Sequence, residues 1–291
     1  MEVHKRRFGD RRDGKWLRDE DPLHTFMPYL LQNRTDAEAF VSEQIDITNI
    51  LAYLEKKNAA NPQYKYTLFH VICAAMVKTI ALRPKMNRFI SGRRLYQRHD
   101  ISLSFVAKKQ FNDDGEESLL FLKFDEDTTI DSLYERIRSE VTEIRKGKND
   151  NSTDVMAILA KLPRRILAII VGFLRMLDYY GKVPYDLIKE DPNYSSVMLS
   201  NLGSIKLNAG YHHLNNWGNN SIFVVVGEKH KAPYYDDQGN VTMRDCLNLG
   251  ITLDERIADG YYYSKTIKLL KYLLQNPQLL EKPAKEVVDY E

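Results

Sequence analysis

Asn248-Leu249-Gly250-Ile251-Thr252-Leu253-Asp254-Glu255-Arg256-Ile257-Ala258-Asp259-Gly260 decides how the rest of the chain is read. Leu249 to Leu253 reads as a short apolar strand and Asp254 to Gly260 as a polar turn. Ser264 to Gln275 reads as an amphipathic helix closed by Pro277. A strand, a charged loop and a helix in series commonly present side chains to a site. The same residues also make a plain solvated turn, with Gly260 supplying the bend.

Working outward, 291 residues suit one large domain or two small ones. A hydrophobic share of 43% and a charged share of 28% are those of a soluble globular chain, and a net charge of +2 argues against nucleic acid or an anionic membrane as the main partner. Met1 to Asp21 is too densely charged for a signal peptide, and the longest apolar run, Ile166 to Leu174, is too short to span a bilayer. Cys73 and Cys246 lie far apart without metal-ligand spacing, so they read as free thiols in a reducing, cytoplasmic compartment. There is no Gly-x-Gly-x-x-Gly and no Walker-type loop.

Along the chain, Met1 to Asp21 reads as an irregular arm. Ala37 to Ile47 is a strand, and Thr48 caps a short helix through Leu51 and Leu54. Leu68 to Leu82 is a buried helix ended by Pro84. Phe89 to Leu95, turned at Ser91-Gly92, and Ile101 to Ala107 are strands, and a hairpin at Asp113-Asp114-Gly115 leads into Leu119 to Phe124. Ile130 to Arg145 is a helix with Leu133, Ile137, Val141 and Ile144 on one face. A polar loop over 146–152 follows, then two helical pieces from Asp154 to Tyr180, broken near Pro163. Their wide apolar face carries basic residues, a pattern that fits a membrane surface but is read as covering a sheet or a neighbouring subunit. Ser196 to Ser200 and the buried Ile222 to Gly227 are strands. A second hairpin tip over Tyr234 to Asn240 returns through Val241 to Leu253. This irregular alternation with hairpins predicts an α/β (α+β) two-layer sandwich with a mixed β-sheet.

Asp254-Glu255-Arg256-Ile257-Ala258-Asp259-Gly260, with Pro277-Gln278-Leu279-Leu280 after the helix, resembles the Asp-His-Arg-x-x-Asp-Gly signature of the acyltransferase catalytic domains of 2-oxoacid dehydrogenase complexes. Chloramphenicol acetyltransferase shares its His-x-x-x-Asp-Gly core. Here Glu255 stands where the family has its catalytic histidine. Ser42 to Thr48, with Ile45-Asp46-Ile47-Thr48, resembles a strand-to-helix segment of chloramphenicol acetyltransferase, and Ser200-Asn201-Leu202-Gly203 resembles the Ser-Asn-x-Gly turn of the dihydrolipoamide acyltransferases. The likeness runs from about Arg18 to Leu280. Beyond the irregular arm over residues 1–21, it implies one acyltransferase-like catalytic domain over 22–291, without a lipoyl or subunit-binding domain. It further implies a homotrimer with sites at subunit interfaces and coenzyme A or an acyl-coenzyme A as substrate. No metal is implied.

Carried over by position, Ser200 is the oxyanion donor and Asp259 the carboxylate that organises the loop, with Arg18 as its partner and Arg256 and Gly260 as further loop residues. Three readings of Glu255 stay open. It is the general base, its pKa raised by burial beside Asp259. Alternatively His212 or His213, in the loop before the Ile222 strand, supplies the base. Or the site is catalytically inactive and the trimer serves as a ligand-binding or scaffold module.

Overall fold

The computed structural model describes residues 6–108, 117–145 and 159–290. The hairpin turn read at Asp113-Asp114-Gly115, the loop over 146–152 and the start of the helical piece at Asp154 lie outside the described residues. The strands are β1 (Gly14–Trp16), β2 (Glu38–Asp46), β3 (Arg88–Ser91), β4 (Arg94–Arg98), β5 (Ile101–Lys108), β6 (Glu117–Phe124), β7 (Val197–Asn201), β8 (Ile222–Val226), β9 (His230–Tyr235) and β10 (Val241–Asp254). The helices are α1 (Pro22–Leu30), α2 (Thr48–Asn58), α3 (Leu68–Leu82), α4 (Ile130–Arg145), α5 (Arg164–Tyr179) and α6 (Gly260–Gln275), besides short helical turns.

A seven-stranded sheet runs β2-β10-β8-β7-β5-β6, with β9 pairing the early part of β10. The β8–β7 and β7–β5 pairs are parallel and the others antiparallel, which makes the sheet mixed. A small antiparallel sheet, β1-β4-β3, sits apart. The first of its strands comes from the segment read as an irregular arm.

Alternation along β10 sets the two layers. Leu247, Leu249, Ile251 and Leu253 face α3, α4 and α6 in one apolar core, which continues through Leu103, Leu122, Leu199 and Val224 of the neighbouring strands. Leu269, Leu270, Leu273 and Leu274 of α6 are buried there, each contributing roughly 1.5–3 kcal/mol. On the opposite face, a loop between β7 and β8 lies directly on the sheet. A Cβ at Gly250 would stand 2.0 Å from the Gly210 carbonyl oxygen, and one at Gly227 would stand 2.5 Å from the Ala209 nitrogen. Glycine at those positions lets loop and sheet touch backbone to backbone.

Three local readings change. The helix after the motif begins at Gly260, a turn earlier than Ser264, because Asp259 caps it. Thr48 does not cap α2 with its own side chain; Asp46 accepts from its N–H at 2.9 Å and its hydroxyl at 2.6 Å. No residue of α5 is buried, so this helix does not cover the sheet within one copy. Ile166, Ile169, Phe173 and Met176 are exposed on it. Among the described residues no helix is long and apolar enough to cross a membrane.

Candidate active site

The end of β10 sends consecutive side chains in opposite directions. Asp254 lies on the loop face, where Glu38 is its cross-strand partner. Its carboxylate is fully buried and accepts two bonds from the Arg256 guanidinium, Nε to Oδ1 at 2.7 Å and Nη2 to Oδ2 at 2.6 Å, besides one from the Arg256 backbone N–H at 3.2 Å. Such a fork-to-fork pair fixes both planes. The remaining end of the guanidinium donates to the Leu31 carbonyl at 2.8 Å, just beyond the C-terminus of α1, where helical carbonyls lack partners. Arg34 approaches the same carboxylate at 4.0 Å. The turn read as polar and solvated is therefore largely interior, with Asp254, Arg256, Ile257 and Ala258 all buried.

Glu255 points the other way and is exposed. Its backbone N–H donates to the Ala37 carbonyl at 2.9 Å. With Leu23, His24, Met27, Ala39, Ala258, Asp259, Gly260 and Tyr263 it lines a cavity of about 280 Å³. The burial beside Asp259 expected for Glu255 is not provided by a single copy.

Asp259 organises the turn by capping α6: its Oδ1 accepts from the Tyr262 N–H at 2.9 Å. That backbone bond holds its carboxyl below the usual aspartate range. Tyr263, one turn on, donates its hydroxyl to the Asp254 carbonyl at 2.7 Å, and burial pushes its phenol well up. Gly260 takes ordinary helical geometry with open space where a Cβ would be, so no bend requires glycine there.

Arg18 does not reach Asp259. It is exposed, donates to the Phe8 carbonyl and stacks on Trp16 at 4.5 Å. Its expected role falls to the Asp254–Arg256 pair and Arg34. His212 and His213, the alternative bases, do not line the Glu255 cavity of the same copy. His213 Nδ1 meets Glu38 Oε2 at 2.7 Å and the His212 ring lies 4.7 Å from that of Phe223. Glu38 is on the opposite face of β2 from Ala39, which lines the Glu255 cavity. Ser200 sits on β7 level with Val225 of β8, whereas β10 ends beside Ile222. Two strand spacings across and several residues along put Ser200 roughly 20 Å from Glu255. One copy does not bring them together.

His24 was not anticipated. It lies in the first turn of α1, where the N-cap Asp21 accepts its backbone N–H at 3.1 Å and holds its Nδ1 at 2.5 Å. The Asp21-Pro22 pair before an apolar run is the sequence signal for that cap. The imidazole borders the same cavity as Glu255. Among the described residues no group of three or more His, Cys, Asp or Glu side chains could hold a metal ion, and both cysteines are free and buried.

Residues 186–281, which include Ser200 and the whole motif, match the family model for the 2-oxoacid dehydrogenases acyltransferase (catalytic domain). The chain is 21% identical over 246 residues to the lipoamide acyltransferase component of the branched-chain alpha-keto acid dehydrogenase complex of Bacillus subtilis (strain 168), covering 82% of this chain and 46% of that protein. It thus spans about half the length of that curated relative. Among solved structures, a probable dihydrolipoamide acetyltransferase from Listeria monocytogenes 4b F2365 superposes with a TM-score of 0.59 at 15% identity, covering 94% of this chain and 99% of that one. A chloramphenicol acetyltransferase superposes with a TM-score of 0.52 at 12% identity, covering 90% and 99%. The fold of this chain is that of these acyltransferase cores.

Proposed function

We propose that this chain is a coenzyme A-dependent acyltransferase that works as a homotrimer, with Glu255 as general base at the position the family gives to histidine. The carrying observation is the support of the turn: the buried Asp254–Arg256 pair and the Asp259 cap aim Glu255 into a cavity while holding the backbone on both sides of it. In the reaction, the Glu255 carboxylate takes the proton of an acceptor thiol or hydroxyl. The freed sulfur or oxygen attacks the thioester carbonyl carbon, and the carbonyl electrons move to oxygen. Collapse of the tetrahedral intermediate breaks the carbon–sulfur bond, and the proton held by Glu255 passes to the departing coenzyme A thiolate. Ser200 donates its hydroxyl hydrogen to the oxyanion.

Ser200 and Glu255 are too far apart within one copy to serve one thioester, so the site is assembled from two. The exposed apolar residues of α5, together with Leu23, Phe26 and Leu30 on α1, favour such an assembly. Light scattering in dilute buffer is expected to give three times the chain mass. In the same sample, acetyl-coenzyme A at millimolar concentration is expected to raise the melting temperature saturably. A clean monomer would remove the shared site, and an unshifted melt of a folded oligomer would remove the ligand.

A second reading rests on His24. Its Nδ1 is fixed by Asp21, so an imidazole oriented by a carboxylate stands in the Glu255 cavity and can take the base's part.

A further inference from the structure

Arg11 is held by Asp13 and Asp178, Arg88 by Glu20, and Arg256 by Asp254. Arg34 and Arg98 are also buried but have no carboxylate of their own among the described residues. Arg34 donates Nη1 to the Asn215 carbonyl at 2.6 Å and Nη2 to the Gly218 carbonyl at 2.8 Å. Its Nε has no acceptor among the described residues. The carboxylate oxygen 4.0 Å away belongs to Asp254 and is already engaged by Arg256. A buried guanidinium left in this state carries a desolvation penalty that a second anion would offset. Burial drags its pKa down to about 10, which still leaves it charged at neutral pH.

Arg34 borders a cavity of about 390 Å³ on the loop face, together with Arg93, Arg175 and Arg256. Asp178 is the one carboxylate among its described lining residues, and Arg11 holds it at 2.8 Å. Arg93 occupies the second position of the two-residue turn between β3 and β4 with φ 60. That left-handed geometry disfavours a residue with a Cβ and is normally left to glycine or asparagine. The turn packs backbone to backbone on the end of α5: at Gly92 a Cβ would stand 2.1 Å from the Tyr179 carbonyl oxygen. The strained turn holds Arg93 beside the end of α5, which brings Arg175. Arg175 is exposed and makes no ion pair among the described residues.

We propose that this cavity is a binding site for a phosphate-type anion, separate from the cavity that holds Glu255. Its four guanidinium groups come from four places: the segment before β2, the β3–β4 turn, α5 and the loop after β10. Arg93 donates one N–H to Gln32 Oε1 at 3.2 Å and Arg256 is engaged by Asp254 and Leu31, which leaves further N–H groups of each guanidinium for a ligand. Cations on several sides of one cavity suit a tetrahedral oxyanion better than the single edge of a carboxylate. Trp217 and Tyr179 on the lining offer flat faces to an organic portion. Arg256 belongs to both the anion cavity and the turn that bears Glu255, so bound anion would stiffen that turn.

The test is titration of the intact protein with sodium pyrophosphate, followed by calorimetry and melting, against sodium chloride at matched ionic strength. Saturable heat and a saturable rise in melting temperature are expected. Arg93→Gln and Arg175→Gln stand at the rim and are each expected to weaken binding about tenfold or more. Melts without anion confirm that both variants are folded. Adenosine 3′,5′-bisphosphate binding more tightly than pyrophosphate and competing with it would identify the phosphate of a nucleotide as the occupant. Binding no tighter would identify a free anion. Heats no different from chloride, or pyrophosphate binding unchanged in both variants, would overturn the site. No transfer assay enters, so the outcome is independent of the acyltransferase proposal.

Discussion

Asp254→Asn is expected to remove about 3–5 kcal/mol of folding stability, read as a lowered urea midpoint at unchanged slope. The carboxylate is fully buried, and three of its bonds come from Arg256. Asparagine keeps the shape but turns an NH₂ group toward donors of the guanidinium. It also leaves two buried guanidinium groups, Arg256 and Arg34, without the charge they share. The effect should propagate: Arg256 would loosen its hold on the Leu31 carbonyl and so on α1. Replacing both Asp254 and Arg256 with apolar residues should cost less than the sum of the single changes, because neither is then left unpaired. A loss under about 1 kcal/mol in Asp254→Asn would mean the pair is not what holds the turn.

Glu255→Gln is expected to lower the rate of acyl transfer on the order of a hundredfold or more while leaving thioester affinity and stability near wild type. Glutamine matches glutamate in length and hydrogen bonding but cannot accept the acceptor's proton. The side chain is exposed, so the change leaves the packing of the turn in place. Loss of activity in His24→Gln with Glu255→Gln unaffected would move the base to α1. Glu255→His restores the family residue on a turn that otherwise matches. If that variant alone transfers acyl groups, the native site has given up turnover.

Much of this fold could be read directly from the chain, and the reasons are local. The apolar run in α3 and the leucine spacing in β10 and α6 match one period each, so burial follows from pattern alone. The turn after β10 was harder. Asp254 and Arg256 are as polar as any loop residue, and their burial depends on the Leu31 carbonyl, 225 positions earlier in the chain. Arg34 lies in an ordinary polar stretch, and carbonyls of Ile90, Asn215 and Gly218, all distant in the chain, make it an interior residue. The early start of α6 was hidden because Gly260-Tyr261-Tyr262-Tyr263 has poor helix propensity, and the Asp259 cap outweighs it. His24 has no signal of its own in the sequence, because its place at the cavity comes from packing α1 beside the turn. The order of motifs placed Ser200 and Glu255 in one site, but order along a chain carries no distance. Their separation follows only once the strand sequence β10-β8-β7 is known.

Mixed oligomers of Ser200→Ala and Glu255→Gln, assayed for acyl transfer from acetyl-coenzyme A to a dithiol, test the shared site most directly. Each variant alone should be nearly inert. A site between copies needs Ser200 from one chain and Glu255 from the next, so an equal mixture should recover about a quarter of the wild-type sites. A mixture as inert as its parents, beside an active wild type, would contradict a site shared between subunits. A wild type inert in the same assay would contradict the transferase itself.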